Sequence, residues 1–200
     1  MKNFEGVTDE ALALLYVKGD NRAFDELLSR TQEKLFTYIM FVVRDHDIAD
    51  DIFQETFVKV ITKLQQGLYT DSGKFMFWIT RIAHNCIMDW YRLQQSSHIV
   101  EVNEDNNLQN LKSFSVMDTN KEAEMINEQV LLDIKRMVDT LPTPQREVVY
   151  MRFYQQLSFK EIAELTGVSI NTSLGRMRYA LINLRKMAKE HQIELALCEY

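Results

Sequence analysis

Two hundred residues with only two Pro and six Gly leave few places to break a helix, which argues against turn-rich β folds and excludes collagen-like or Pro-rich chains. A hydrophobic fraction of 46% allows a buried core, and no apolar run approaches the roughly 20 residues of a membrane span. The net charge of −6, taken alone, argues against a free, non-specific nucleic-acid binder.

Apolar residues recur at helical spacing almost throughout, so the expected fold class is all-α. Thr8 to Lys18 reads as a short amphipathic helix closed by Gly19. Asp20 can cap a second helix with apolar positions Ala23, Phe24, Leu27, Leu28, Leu35, Phe36 and Ile39. Asp47 can cap a third, with Ile48, Ile52, Phe53, Phe57, Val60, Ile61 and Leu64 on one side. Residues 65–73 (QQGLYTDSG) form a loop by their glycines and polar residues, and a fourth helix is expected from about Lys74 to Gln95.

Residues 96–120 change character, with five Asn, several Ser and acidic residues and no sustained period. They read as a flexible acidic linker between two small helical domains, 1–95 and 121–200. Beyond it a helix is expected from about Asn120 to Thr140. Thr143 as cap, with Pro144 at the first helical position, then starts another. In LSFKEIAELTGVSINTSLGRMRYAL, Ser158 followed by Glu161 is a capping box, and Gly167 suits the left-handed residue past a helix end. Ser169 caps a longer helix to about Lys189. Two helices joined by so short a Gly-containing turn read as a helix-turn-helix, with Ala163 small enough to let them cross closely.

On that last helix Ile170, Leu174, Met177, Leu181, Leu184 and Ala188 form the expected core stripe. The opposite side carries Thr172, Gly175, Tyr179 and Lys186, with Arg176 and Asn183 beside them. Such groups suit a major groove, where Arg176 can pair bidentately with guanine and Asn171 or Thr172 can reach bases or phosphates. Charge is segregated to match: −5 over 1–60, +2 over 61–93, −5 over 94–141, +4 over 142–190 and −2 over the last ten residues. Two basic blocks between acidic ones describe a chain that touches polyanion in two places and is repelled by it elsewhere.

Three segments, in order, resemble the sigma-70 family of bacterial transcription initiation factors, specifically its extracytoplasmic-function (ECF) group. DIADDIFQETFVKV (47–60) resembles the stretch that binds core RNA polymerase. FMFWITRIAHNCIMDWYR (75–92) is similar to the helix that engages the minus-10 element, and LPTPQREVVYMRFYQQLSFKEIAELTGVS (141–169) to region 4 with its helix-turn-helix. The resemblance implies a polymerase-binding set of Asp50, Asp51, Gln54, Glu55, Val58 and Lys59. It implies minus-10 contacts from Tyr69, Lys74, Trp78, Arg81, His84, Asn85 and Arg92, with Asp71 as a further loop candidate. The implied minus-35 contacts are Lys160, Asn171, Thr172, Ser173, Gly175, Arg176, Arg178 and Tyr179. Partners would be core RNA polymerase, promoter DNA and an anti-sigma factor. The chain departs from the family pattern at Ser173 and Leu174, at Gly175 in place of a usual Ser, and at His84 in place of a common Arg.

An autonomous helix-turn-helix regulator is the alternative that keeps DNA binding without polymerase. An enzyme is not indicated. His46, His84, His98 and His191 fall in no ligand spacing, and there is no Gly-rich phosphate loop, nucleophile elbow or His-Glu-x-x-His. The expectation is therefore no catalytic residue, no metal, no cofactor and no small-molecule substrate. Two cysteines are too few for a disulfide scaffold; Cys86 falls on an apolar side and Cys198 near the end. The start MKNFEGVTDE is not that of a signal peptide, so the chain reads as cytoplasmic, with no direct membrane insertion.

Overall fold

The computed structural model describes residues 4–70, 73–98 and 134–190. Among them every regular element is a helix: α1 (Asp9–Val17), α2 (Asn21–Val43), α3 (His46–Gln65), α4 (Phe75–His98), α5 (residues 134–140), α6 (Thr143–Phe153), α7 (Phe159–Thr166) and α8 (Ile170–Glu190). Residues 96–98, expected at the start of the linker, belong to α4. Residues 99–120 of that linker, the helix expected over 120–133, Asp71 and Cys198 lie outside the described residues.

The helix starts follow local side-chain chemistry, with three adjustments, the first being that Asp20 stands at the capping position of α2 but its side chain makes no capping hydrogen bond. Thr8, read as the start of the first helix, is its cap, the hydroxyl accepting from the Ala11 amide at 3.3 Å. Asp45 rather than Asp47 caps α3, accepting from the Ile48 amide at 3.1 Å. The reason lies upstream: α2 ends on Arg44 in the left-handed conformation, at φ 65, which leaves Asp45 alone to join the two helices. Asp47 falls in the first turn of α3, where its charge still favours the helix N-terminus. In α6 the capping position is Pro142, with Thr143 first in the helix and Pro144 next. A proline there forfeits nothing, since its missing amide would have had no intrahelical partner.

Helices α1–α4 enclose the front part of the core. Leu27, Leu35, Ile39 and Val42 of α2, Ile52, Val60 and Leu64 of α3, and Ile79, Ala83 and Ile87 of α4 are at most 2% exposed. Thr31 and Thr56 are buried among them, and each hydroxyl donates to the carbonyl four residues back, Leu27 and Ile52, at 2.7 Å. Glu10 of α1 accepts from the Phe75 amide at 2.9 Å, so α1 supplies the cap that α4 lacks in its own sequence. That bond is the main reason the Glu10 carboxyl is held below its usual range.

In the back part, the capping box of α7 is complete: Glu161 accepts from the Ser158 amide at 2.9 Å and its own amide donates to the Ser158 hydroxyl at 3.3 Å. Gly167 ends the helix at φ 67, and the Ser169 hydroxyl accepts from the Thr172 amide at 3.0 Å to start α8. The helix-turn-helix is thus α7–α8, as expected.

The front and back parts pack directly on one another, α6 on α2 and α7 on α4, and their cores form one continuous cluster. The joint is polar as well as apolar. Arg146 of α6, 4% exposed, donates to the Phe41 carbonyl at 3.1 Å and the Val42 carbonyl at 2.7 Å. These are among the last carbonyls of α2, which have no partner inside their own helix. Around them Phe41, Tyr150 and Tyr154 pile up, with ring centroids 4.7 and 5.1 Å apart. Burial pushes the Tyr150 hydroxyl up to about 12.

Candidate functional site

The exposed side of α3 carries Asp51, Gln54, Glu55 and Val58, with Asp50 and Lys59 half-buried at its edges. The spacing of these six residues places them on adjoining strips of one helix. Lys59 pairs with Glu55 at 2.7 Å and approaches Asp89 of α4 at 4.0 Å; the bond to Glu55 raises the Lys59 pKa. Val58 is 62% exposed. An apolar side chain left in water beside acidic groups is the arrangement of an interface with an apolar centre and a charged rim.

On α4, Arg81, Asn85 and Arg92 are exposed. Trp78 is half-buried, edge-on to Tyr69 at 4.9 Å and tilted against Phe75 at 5.7 Å. Two expected contacts change role. Tyr69 is 7% exposed, so its ring packs beneath the loop and presents no face for a base to stack on. His84 is 6% exposed and its Nδ1 lies 2.7 Å from the Glu147 carboxylate of α6. A side chain so enclosed is a packing and hydrogen-bonding group in this form of the chain, not a surface contact.

On α8, Asn171, Thr172, Arg178 and Tyr179 are exposed and Gly175 and Arg176 half-buried; Lys160 is exposed on α7. The expected core stripe is turned. Ile170 and Leu174 are 47% and 43% exposed, while Ser173 is wholly buried with Met177, Ala180 and Ala188. Where α7 crosses α8, small side chains (Ala163 on one helix, Ser173 on the other) take the inward positions, which lets the backbones approach. The larger Leu174 is displaced outward. Ser173 is therefore withdrawn from the set that can touch DNA.

Sequence reasoning missed the groups that join the two parts. Glu147, 3% exposed, accepts from the Tyr38 hydroxyl at 2.6 Å as well as facing His84. Burial, with the Glu147 charge second, drives the Tyr38 pKa well upward. In α6 the run Arg146–Met151 is buried without interruption. A charged pair leading into an apolar run was the available signal, but Arg and Glu on a helix ordinarily read as solvent-facing.

Lys74 donates to Glu161, and Arg81 lies 3.8 Å from Glu164. The Lys74 ammonium, helped by the Ser158 hydroxyl and amide, lowers the Glu161 pKa from 4.5 to about 2. A carboxyl depressed by folding contributes stability that is present above its unfolded pKa and lost as pH falls through its folded one. Glu161→Gln is accordingly expected to be less stable than the parent chain by about 1 kcal/mol near neutral pH, a figure reduced for solvent screening. The gap should close as pH falls from about 4.5 towards 2, as measured by thermal unfolding across that range.

Arg81, Asn85 and Arg92 of α4 and Arg176 of α8 line a single cleft of about 420 Å3, together with Glu147 and Glu164.

Residues 27–97 match the family model for sigma-70 region 2, and residues 131–175 the model for sigma-70, region 4. Together they take in more than half of the chain. RNA polymerase sigma factor SigZ of Bacillus subtilis is 28% identical over 163 residues, 82% of this chain and 85% of SigZ. The ECF RNA polymerase sigma-E factors of Salmonella typhimurium and Escherichia coli K12 are each 28% identical over 179 residues, 86% of this chain and 90% of theirs. Among solved structures, the fold is similar to that of the sigma factor RpoE of Bartonella quintana in complex with the anti-sigma factor NepR. The TM-score is 0.63 at 20% identity, over 83% of this chain and 96% of that one. CnrH, in complex with the cytosolic domain of CnrY, gives a TM-score of 0.59 at 23% identity, over 91% and 97%. With both sigma-70 regions present in order and a helix-turn-helix in the second, the chain belongs to the sigma-70 family, in its ECF group, whose members are transcription initiation factors and not enzymes.

Proposed function

We propose that the chain grips core RNA polymerase with the acidic side of α3, opens the minus-10 element on α4 and reads the minus-35 element with α8. The polymerase set is Asp50, Asp51, Gln54, Glu55, Val58 and Lys59. The minus-10 set is Lys74, Trp78, Arg81, Asn85 and Arg92. The minus-35 set is Lys160, Asn171, Thr172, Gly175, Arg176, Arg178 and Tyr179. The front part, through the end of α4 at His98, and residues 121–200 act as two units, with 99–120 as the tether. The observation that carries this reading is the combination, on one chain, of a carboxylate-and-valine face with two cation-bearing faces on different helices.

Such a factor works in the cytoplasm, where the polymerase and chromosome are. The solved complex of a similar fold with the anti-sigma factor NepR supports a protein inhibitor of the same kind here. A gel shift with and without core polymerase tests the reading. Specific retention of promoter DNA is expected only when core is present; strong retention by the chain alone would favour an autonomous regulator.

Gly175 gives a second test with opposite signs in two measurements. Nothing lies within 4 Å of a Cβ built there, so Gly175→Ala should raise stability by about 0.5–1 kcal/mol through helix propensity. If DNA backbone or base edges approach that spot, the same methyl weakens minus-35 binding. The expected result is a higher melting temperature with several-fold lower affinity for minus-35 duplex.

A further inference from the structure

An open groove of about 340 Å3 runs between the start of α6 and the outer side of α8. Pro142 and Pro144 line it from α6, and Thr172, Gly175, Arg176 and Tyr179 line it from α8. Its surface is almost wholly apolar, and both prolines and Tyr179 are exposed. The two helices are tied beside it: the Asn183 side-chain amide of α8 donates to the Gln145 side-chain carbonyl of α6 at 2.8 Å. That bond holds the two walls at a set spacing.

Gly175 keeps the groove open. A Cβ built there meets nothing within 4 Å, so packing within the chain does not demand glycine, which is the weakest helix former after proline. At a hundred degrees per residue, Arg176 and Arg178 flank Gly175 on the helix surface. Neither pairs with a carboxylate among the described residues, and residues 142–190 carry a balance of +4. An apolar groove between unpaired cations suits an occupant that is anionic outside and apolar at its inward edge. Of the base edges in a major groove, only thymine adds an apolar group, its C5-methyl. The other edges present hydrogen-bonding groups that proline carbon cannot satisfy.

We propose that this groove reads thymine in the minus-35 element, its C5-methyl packing between Pro144 and Tyr179 over Gly175, beside a base pair read by Arg176. The inference rests on the assignment of α8 to minus-35 DNA. It adds two residues of α6, Pro142 and Pro144, to that surface.

The main test needs no altered protein. The chain with core polymerase is incubated with promoter-length duplexes randomised upstream of minus-10, and the retained sequences give the preferred upstream element. Each thymine of that element, on either strand, is then replaced singly by uracil, which removes the methyl and keeps every hydrogen-bonding group. Uracil should lower affinity about 3- to 5-fold at one position, the worth of one buried methyl. With Pro144→Ser, whose folding circular dichroism checks, the thymine-to-uracil ratio there should fall to about one, while the preference that Arg176→Ala abolishes is kept. An element with no thymine on either strand, equal affinity for thymine and uracil throughout, or a ratio that Pro144→Ser leaves unchanged overturns the proposal. Loss of core binding in Pro144→Ser, with thymine and uracil bound alike, gives the groove to a segment of the polymerase and overturns it too. If instead Arg176→Ala leaves the upstream preference intact, the assignment of α8 to DNA fails, and the groove's role with it.

Discussion

Arg146→Met should lower the unfolding free energy of the full chain by about 3–5 kcal/mol, enough to reduce the melting temperature by roughly 10 °C. The guanidinium is almost fully enclosed and serves four carbonyls from two segments: Phe41 and Val42 at the end of α2, and Asp139 at 3.3 Å and Leu141 at 3.1 Å just before α6. Val42 keeps a long bond from the Tyr91 hydroxyl at 3.4 Å and Asp139 keeps Arg44, but the Phe41 and Leu141 carbonyls lose this donor where water cannot readily reach, each costing about 1 kcal/mol or more. The substitution also takes away a positive charge that neighbours the buried Glu147. Arg146→Lys should recover less than half of the loss, because one ammonium cannot imitate a planar fork of donors. Thermal or urea unfolding measures both. A loss below about 1 kcal/mol for Met would mean that these carbonyls find other partners.

The second large effect is expected on association rather than stability. Asp51→Lys with Glu55→Lys should weaken binding to core polymerase by about 100-fold. The melting temperature should stay nearly constant, since both side chains are exposed and surface substitutions usually change stability by about 0.5 kcal/mol or less. The wild-type pair even repels itself slightly, being of like charge four residues apart on one helix. A pull-down with purified core at several salt concentrations distinguishes the cases. Undiminished association would remove α3 from the polymerase interface.

The parts of the fold decided within a few residues of chain were legible from sequence. The Ser158–Glu161 capping box, the Gly167 turn and the Ser169 start all form as read, because each depends on atoms three or four residues apart. The Asp45 and Asp47 choice was not decidable locally, since either acid can cap; it turned on where α2 stopped. The rotation of α8 escaped for a different reason. Helical periodicity weights large apolar residues, and where α7 packs on α8 the buried positions include Ser173 and Ala163, which carry little such weight.

The joint between the two parts left in the sequence only the charged pair Arg146–Glu147 leading into an apolar run, which ordinarily reads as solvent-facing. Tyr38 and Glu147 are 109 residues apart in sequence, and nothing near either one announces the other. The same difficulty explains His84 and Tyr69, which occupy positions that the family resemblance assigns to DNA but are enclosed here. Of the α3 surface, nearly everything was readable, because an exposed amphipathic helix has its outward side set by its own inward one.

Run-off transcription on genomic fragments with purified core polymerase tests the central claim most directly. Discrete transcripts should appear only when core and this chain are combined, vanish with Asp51→Lys/Glu55→Lys, and fall at least several-fold with Arg176→Ala. If no fragment yields a chain-dependent start, or if core lacking the chain produces the same starts, then this protein does not direct polymerase to promoters.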